Sequence, residues 1–143
     1  MRRKIKQMAK RLLDHVGIVT ADISTAVRFW RDGLEMGVKM EERNDEEAVD
    51  IVFIDAGGDR TIELIAPTTE DSGIAKYLNK KGQGQHHVCI EVDDIEAVMA
   101  RLTAQGFELI NEAPRRRHDG TLYAFTHPKS TGGVMVELYQ KPE

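Results

Sequence analysis

The chain has 143 residues, a formal net charge of −4 at pH 7 and 41% hydrophobic residues, which is typical of a folded globular protein. This acidic balance gives no electrostatic case for nucleic-acid binding, because nucleic-acid-binding proteins usually present a basic face. No apolar run approaches the length of a membrane span. The single cysteine, Cys89, cannot form an internal disulfide, which favours a reducing, cytoplasmic compartment.

The first twelve residues are unusually basic. Ile5, Met8 and Leu12 are spaced at i, i+3 and i+7, which predicts one apolar face of a short helix. The segment 1–12 contains no serine and no cleavage-like site, so we interpret it as a helical extension rather than a targeting peptide. We expect this extension to pack on the domain or on a second subunit.

A first module of secondary structure is predicted over residues 13–67. Asp22 is a good helix N-cap, and apolar residues recur after it at helical spacing until Gly33 gives a stop signal. The predicted strands are 13–20, 35–41, 48–55 and 60–66. Strand, helix and three further strands make this a βαβββ module.

A linker over residues 68–84 follows, with a short helix that Ser72 is expected to cap. A second βαβββ module is predicted over 85–140, and Asp94 caps its helix. Its predicted strands are 86–92, 107–111, 120–126 and 133–140. Because three successive strands joined by hairpin-length loops need antiparallel neighbours, the sequence predicts one α+β domain over 13–143 with a mixed sheet.

The two modules repeat one pattern in register. Their opening strands align His15 with His87, and their closing strands align Glu63 with Glu137. Each module therefore supplies one imidazole and one carboxylate, and both groups are common metal ligands. A repeated pair of such residues is more informative than any single His or Glu.

Strand alternation predicts that these four side chains share the face that points away from the helices. An isolated His or Glu on a strand is usually structural, but two buried carboxylates without a cation between them would be costly. The predicted ligands of a single divalent metal ion are His15, Glu63, His87 and Glu137. The small residues Gly17 and Cys89, two positions after each His, leave room near this site. His86 faces the helix side and is expected to be structural.

Five segments carry a resemblance to a known family. They are Leu13–Ile18, Ile62–Pro67, Asp71–Leu78, His86–Asp94 and His127–Leu138. The first and fourth are similar to the vicinal oxygen chelate superfamily of glyoxalases, bleomycin-resistance proteins and dioxygenases. The last resembles the methylmalonyl-CoA epimerase family within it. This resemblance covers roughly residues 13–140 and implies a glyoxalase-like fold, in which paired βαβββ modules form a curled mixed sheet around a metal-binding cleft.

Carried over residue by residue, the resemblance implies the same four metal ligands, although some family members have Gln at the position of Glu63. It also implies that the epimers of methylmalonyl-CoA are interconverted by α-proton abstraction through a metal-stabilised enolate. Glu137 would then be a catalytic acid/base as well as a ligand. Imidazole and carboxylate ligands suit one Co²⁺, Ni²⁺, Zn²⁺ or Mn²⁺ ion.

The identity of the second acid/base stays open at this point. The family's residue lies on the middle strand of the first module, where this chain has either Asp50 or Ile51, depending on the register. If Ile51 fills the place, Glu46 or a bound water has to serve. Lys129 and the basic loop Arg115–Arg117 are candidates for contacts with CoA, although a solvated charge run is the simpler interpretation of the loop.

Other activities share this fold and are alternatives. A glyoxalase I-type lactoylglutathione lyase has similar ligands and a similar proton transfer, whereas a fourth protein ligand disfavours an extradiol dioxygenase. A drug-sequestering protein of the bleomycin-resistance kind would not need the ligand set. We expect an acyl-CoA substrate, no nucleic-acid or membrane partner, and a homodimer that covers exposed sheet edges.

Overall fold

The structure is a computed structural model that describes residues 9–143 as two compact units. The N-terminal unit is Asp14–Val88, and the C-terminal unit is Cys89–Glu143 together with residues 9–13. Ile5 and Met8 of the predicted N-terminal helix lie outside the described residues. Leu12 does not continue such a helix, because it belongs to strand β1 (Arg11–Val19).

The residues at the start of β1 form ion pairs with acidic side chains. Lys10 forms an ion pair with Glu91, and Arg11 Nη1 lies 3.1 Å from Asp93 Oδ1. The segment is therefore held by side-chain contacts as well, and β1 begins two residues before the predicted strand.

The N-terminal unit contains most of the first predicted module and the linker helix. Its elements after β1 are α1 (Ile23–Val27), a π-helical turn (Arg28–Gly33), β2 (Val38–Asn44), β3 (Val49–Asp55), β4 (Thr61–Pro67) and α2 (Gly73–Lys81). The strand order is β2-β3-β4-β1, with β4 and β1 parallel and the other neighbours antiparallel. Strand β2 starts three residues later than predicted, because Glu35 has a left-handed φ of 58°.

Capping explains where both helices begin. The Asp22 carboxylate accepts hydrogen bonds from the N–H groups of Ser24 and Thr25, and the Ser72 hydroxyl accepts one from Ala75. Helix α1 packs on one face of the sheet through a cluster of apolar side chains. This cluster is Val27, Val52, Ile54 and Leu64. The opposite face of the sheet is therefore the one that carries Glu63.

The C-terminal unit continues from strand β5, which begins in the N-terminal unit and ends here. Its elements are β5 (Gly84–Val92), α3 (Ile95–Ala104), β6 (Arg115–Arg116), β7 (Leu122–Phe125), a 3₁₀ turn (Pro128–Ser130) and β8 (Met135–Gln140). Strands β6, β7 and β8 are antiparallel neighbours. The core under α3 is formed by Val92, Ile95, Met99, Ala124 and Leu138.

The strand predicted over 107–111 is wrong. Leu109 makes only an isolated bridge with Thr126, and the Asn111 side chain accepts the Phe125 N–H at 2.7 Å. That side-chain bond replaces the backbone pairing that would continue the strand. The second strand position of the module is taken instead by Arg115 and Arg116, which were expected to lie in a loop.

Each module thus runs strand, helix and three strands, so the predicted α+β fold with paired βαβββ modules and mixed pairing is confirmed. Among residues 9–143, no helix has the length and apolar character that crossing a membrane requires.

Candidate metal centre

Two buried histidines of the N-terminal unit point their ring nitrogens at each other. Nε2 of His15 on β1 lies 3.0 Å from Nε2 of His87 on β5, and the two rings are nearly perpendicular. Two nitrogen ligands about 2.1 Å from one ion, at roughly a right angle, would be about 3 Å apart. The spacing of this pair therefore fits two ligands of the same cation.

The other nitrogen of each ring also has a partner. His15 Nδ1 lies 2.7 Å from Asp14 Oδ2, and His87 Nδ1 lies 2.9 Å from Nδ1 of His86. A Nδ1–H that donates to a carboxylate leaves the lone pair of the ring on Nε2, where a metal can be bound. The Asp14 contact therefore prepares His15 as an Nε2 ligand.

Asp14 and His86 stand at equivalent positions of the internal repeat, immediately before each histidine. Both contact the Nδ1 atom of the following ring, so the repeat extends to the residues that orient the ligands. His86 was expected to have a structural role. In the structure its ring contacts the ring of His87. Its ring is also packed edge-to-face on Tyr77 of α2, with centroids 4.5 Å apart.

Glu63 is buried on β4 and is directly paired with Phe53 of β3. Its Oε2 atom lies 2.8 Å from Nδ1 of His15. The structure thus brings His15, His87 and Glu63 together in one buried group. Sequence reasoning did not identify Asp14 as a residue of the site. The available signal was its position immediately before His15.

Glu137 lies on β8 in the C-terminal unit, and only 1% of the residue is exposed. Its Oε2 atom lies 3.5 Å from Nη2 of Arg117, whose guanidinium stacks on the rings of Tyr123 and Tyr139 at 4.9 and 5.2 Å from their centroids. In the sequence analysis, the simpler interpretation placed Arg117 in a solvated run of basic residues. Nothing in the residue pattern distinguishes it from Arg115, which is exposed.

The register of β3 decides between Asp50 and Ile51. Val52, two residues after Asp50, packs under α1 with Val27, so Asp50 is on the helix face. Ile51 is on the opposite face, which is that of Glu63. The hypothesis that Asp50 serves as the second acid/base is therefore wrong.

Asp50 has a different role on the helix side. Its carboxylate forms a two-bond pair with Arg43, with distances of 2.7 and 2.9 Å, and this hydrogen bonding lowers the pKa of Asp50 below its ordinary value. On the other face, the half-buried Glu42 of β2 is directly paired with Ile51. Glu46 lies exposed in the turn between β2 and β3.

Lys129 lies in the 3₁₀ turn after β7 and forms an ion pair with Glu108. The ring of His127 caps this turn, because its Nδ1 accepts the Lys129 N–H at 3.2 Å. Lys129 is largely exposed. A contact between Lys129 and CoA stays a prediction.

Comparison with known proteins places these features in a family. A family model described as the Glyoxalase/Bleomycin resistance protein/Dioxygenase superfamily matches residues 14–125. The human mitochondrial methylmalonyl-CoA epimerase is 37% identical over 129 residues, which make up 90% of this chain and 73% of that protein. Sequence and fold therefore agree over nearly the whole chain.

Solved structures give the same result. The crystal structure of methylmalonyl-CoA epimerase from Mycobacterium tuberculosis has a TM-score of 0.80 and 38% identity, and the match covers 92% of this chain and 88% of that one. A variant of the Streptomyces coelicolor methylmalonyl-CoA epimerase, in complex with 2-nitronate-propionyl-CoA, has a TM-score of 0.82 and 32% identity over 95% of this chain and 100% of that one. The chain belongs to the glyoxalase/bleomycin resistance/dioxygenase superfamily and, within it, to the methylmalonyl-CoA epimerase family of enzymes.

Proposed function

We propose that this enzyme interconverts the epimers of methylmalonyl-CoA and depends on one divalent metal ion. The observation that carries this proposal is the buried His15–His87 pair, whose Nε2 atoms lie 3.0 Å apart, in a chain related to methylmalonyl-CoA epimerases. The Streptomyces coelicolor relative binds a nitronate analogue of an acyl-CoA, which supports an acyl-CoA substrate here.

The residues proposed to hold the ion are His15, Glu63, His87 and Glu137. Two neutral imidazoles and two carboxylates form a donor set that suits Co²⁺, Ni²⁺, Zn²⁺ or Mn²⁺. A bound divalent cation supplies Lewis-acid stabilisation of the negative charge that develops on the substrate. The contact of Asp14 with His15 Nδ1 supports His15 as a ligand, because it favours a hydrogen on Nδ1 and leaves the lone pair on Nε2 for the ion.

Glu137 is the proposed acid/base that removes and returns the α-proton. Its carboxylate is almost completely buried on β8, and a positioned carboxylate is a common general acid or base. The proton it takes lies between a thioester and a carboxylate, so the product of the transfer is a delocalised enolate.

Epimerisation also requires a proton on the opposite face of that enolate. Asp50 is excluded by its place on the helix side, and Ile51 has no proton to give. We propose Glu42 as the second acid/base, because it is the carboxylate directly across from Ile51 on the face that carries Glu63. The alternatives are a bound water and Glu46, and normal epimerisation after substitution of Glu42 would favour them.

The decisive experiment follows α-proton exchange in deuterated water. Methylmalonyl-CoA and the methylglyoxal–glutathione hemithioacetal are each incubated with metal-free and cobalt-loaded enzyme, and the reaction is followed by proton NMR. We expect cobalt-dependent exchange with methylmalonyl-CoA and its loss in Glu137→Gln. Turnover of the hemithioacetal alone would support a glyoxalase I-type lyase instead. If the protein bound no divalent metal and acted on neither substrate, the result would support a drug-sequestering protein.

We also propose a cytoplasmic homodimer. Leu12, Leu13 and Met40 are exposed on strands β1 and β2, and exposed apolar strand residues are suited to pairing with a second copy. Light scattering of the purified protein measures the mass directly, and a monomer across the micromolar range would contradict the dimer.

A further inference from the structure

Arg117 lies in the hairpin between β6 and β7, and its backbone is fixed by that turn. Its N–H donates to the Thr121 carbonyl at 2.8 Å, and its own carbonyl accepts the Gly120 N–H at 3.0 Å. The Asp119 carboxylate closes the turn by accepting the Thr121 N–H at 2.9 Å. Gly120 has a φ of 93°, which glycine adopts without strain. The side chain of Arg117 therefore leaves the hairpin from a defined position.

Two tyrosines determine where the guanidinium lies. Tyr123 of β7 and Tyr139 of β8 are directly paired, as are Phe125 and Glu137, so these side chains share one face of the two strands. The guanidinium of Arg117 stacks on both tyrosine rings. Stacking of this kind orients the planar group and orders it before a ligand arrives.

The resulting arrangement places a fixed positive charge beside a buried carboxylate. Arg117 Nη2 lies 3.5 Å from Glu137 Oε2, and a third of the Arg117 side chain is exposed. Glu137 alone would repel an anionic ligand, because like charges in a poorly solvated site are unfavourable. Arg117 offsets that repulsion, and its exposed part is accessible to a ligand.

We propose that Arg117 determines specificity by binding the free carboxylate of the acyl-CoA substrate. Guanidinium groups bind carboxylates through two parallel hydrogen bonds, and the stacked position of Arg117 provides the orientation that this geometry needs. The enzyme then prefers acyl-CoA esters with a second carboxylate over those without one. The inference rests on the proposed function, because it takes an acyl-CoA as the ligand.

The test compares the affinities of methylmalonyl-CoA and propionyl-CoA, which differ by the carboxylate, for the cobalt-loaded enzyme in calorimetric titrations. The variants are Arg117→Met, Arg117→Lys and the matched control Arg115→Met, which removes a positive charge from the exposed strand of the same hairpin. We expect Arg117→Met to weaken methylmalonyl-CoA about 10- to 100-fold, as loss of a charged hydrogen bond does, and propionyl-CoA less than about 2-fold. Any CoA contact of Arg115 is common to both esters, so Arg115→Met should leave the ratio of the two affinities unchanged.

The outcomes separate this inference from the proposed function. If wild-type enzyme prefers methylmalonyl-CoA and Arg117→Met keeps that preference, the role of Arg117 is refuted while the function stands. Equal weakening of both esters by Arg117→Met would also refute it. If wild-type enzyme binds neither ester, the proposed function fails and the inference fails with it. Should Arg117→Met not fold, judged by circular dichroism, Arg117→Lys decides: an unchanged preference refutes the inference, and a reduced one supports it.

Discussion

Gly17 and the ring of His87 are in such close contact that a Cβ atom on Gly17 would lie 2.2 Å from His87 Cε1. Atoms of neighbouring side chains do not approach this closely, so the absence of a side chain at residue 17 is required for the present position of the imidazole. The space left by the missing side chain is filled by the imidazole of His87. Its role is to define where His87 can lie relative to His15.

We predict that Gly17→Ala displaces His87 and weakens metal binding. The three atoms nearest to the added methyl group all belong to the His87 ring and all lie too close to it. Overpacking of a filled interior costs about 1–3 kcal/mol. Cobalt affinity, measured by calorimetry, should fall at least about 10-fold, in the range seen when the support of a ligand is removed.

The control for this substitution is Gly37→Ala. Gly37 has nothing within 4 Å of an added Cβ and no positive φ, so the alanine there should be neutral. An equal loss of cobalt affinity in both variants would contradict the role of Gly17, as would an unchanged affinity in Gly17→Ala.

Asp14→Asn tests the residue that orients His15. The amide keeps the shape of the carboxylate but is an uncharged, weaker acceptor for a hydrogen on Nδ1, so the Nε2 lone pair is less well prepared. We expect a loss of metal affinity of about 10- to 100-fold. Asp93→Asn is a suitable control, because Asp93 is an exposed carboxylate that pairs with Arg11. Wild-type cobalt affinity in Asp14→Asn would rule out the orienting role.

Substitutions on the two faces of the β2–β3 pair test the second acid/base. Asp50→Asn should leave α-proton exchange unchanged, because Asp50 pairs with Arg43 on the helix side. Glu42→Gln should slow epimerisation by a factor of about 100 or more, the usual effect of removing a general acid or base. A normal rate in Glu42→Gln, combined with a slow rate in Glu46→Gln, would transfer the role to Glu46.

Glu91 predicts a pH-dependent contribution to stability. Hydrogen bonds from Lys10 and Lys141 lower the pKa of Glu91 below its ordinary value near 4.5. Since the folded pKa lies below the unfolded one, the stabilisation is complete above about pH 4.5 and is lost as the pH falls through the folded value.

Urea unfolding of Glu91→Gln measures this contribution. Both lysines are partly exposed, so we expect the free energy of unfolding at pH 7 to fall by only about 1 kcal/mol. The difference from wild type should shrink towards pH 3. A difference that is the same at both pH values would show that the ion pairs are not its cause.

The fold was predictable because its signals are local and repeated. Asp22, Ser72 and Asp94 cap their helices as expected, since each supplies an oxygen to the first free N–H groups. The strand expected over 107–111 failed for the opposite reason. Its apolar content is typical of a strand, but the Asn111 side chain takes the hydrogen bond that a strand neighbour would have accepted.

The candidate site was predictable only in part. Alternation along β1, β4 and β5 selects buried residues such as His15, Glu63 and His87, because a strand determines which face each side chain occupies. Whether Asp50 or Ile51 faces the site could be decided only from the side of β3 that packs against α1. The contact of Arg117 with Glu137 joins a hairpin turn to a distant strand, and no periodicity in the sequence encodes it.

One carboxylate connects positions near opposite ends of the described chain. Lys10 and Lys141 both pair with Glu91, so the side chains of these two residues meet at a single carboxylate. A short peptide could bridge them and new termini could be opened in the exposed turn around residue 70, which would exchange the order in which the two halves are synthesised. Circular permutation of this kind would leave every strand pairing in place.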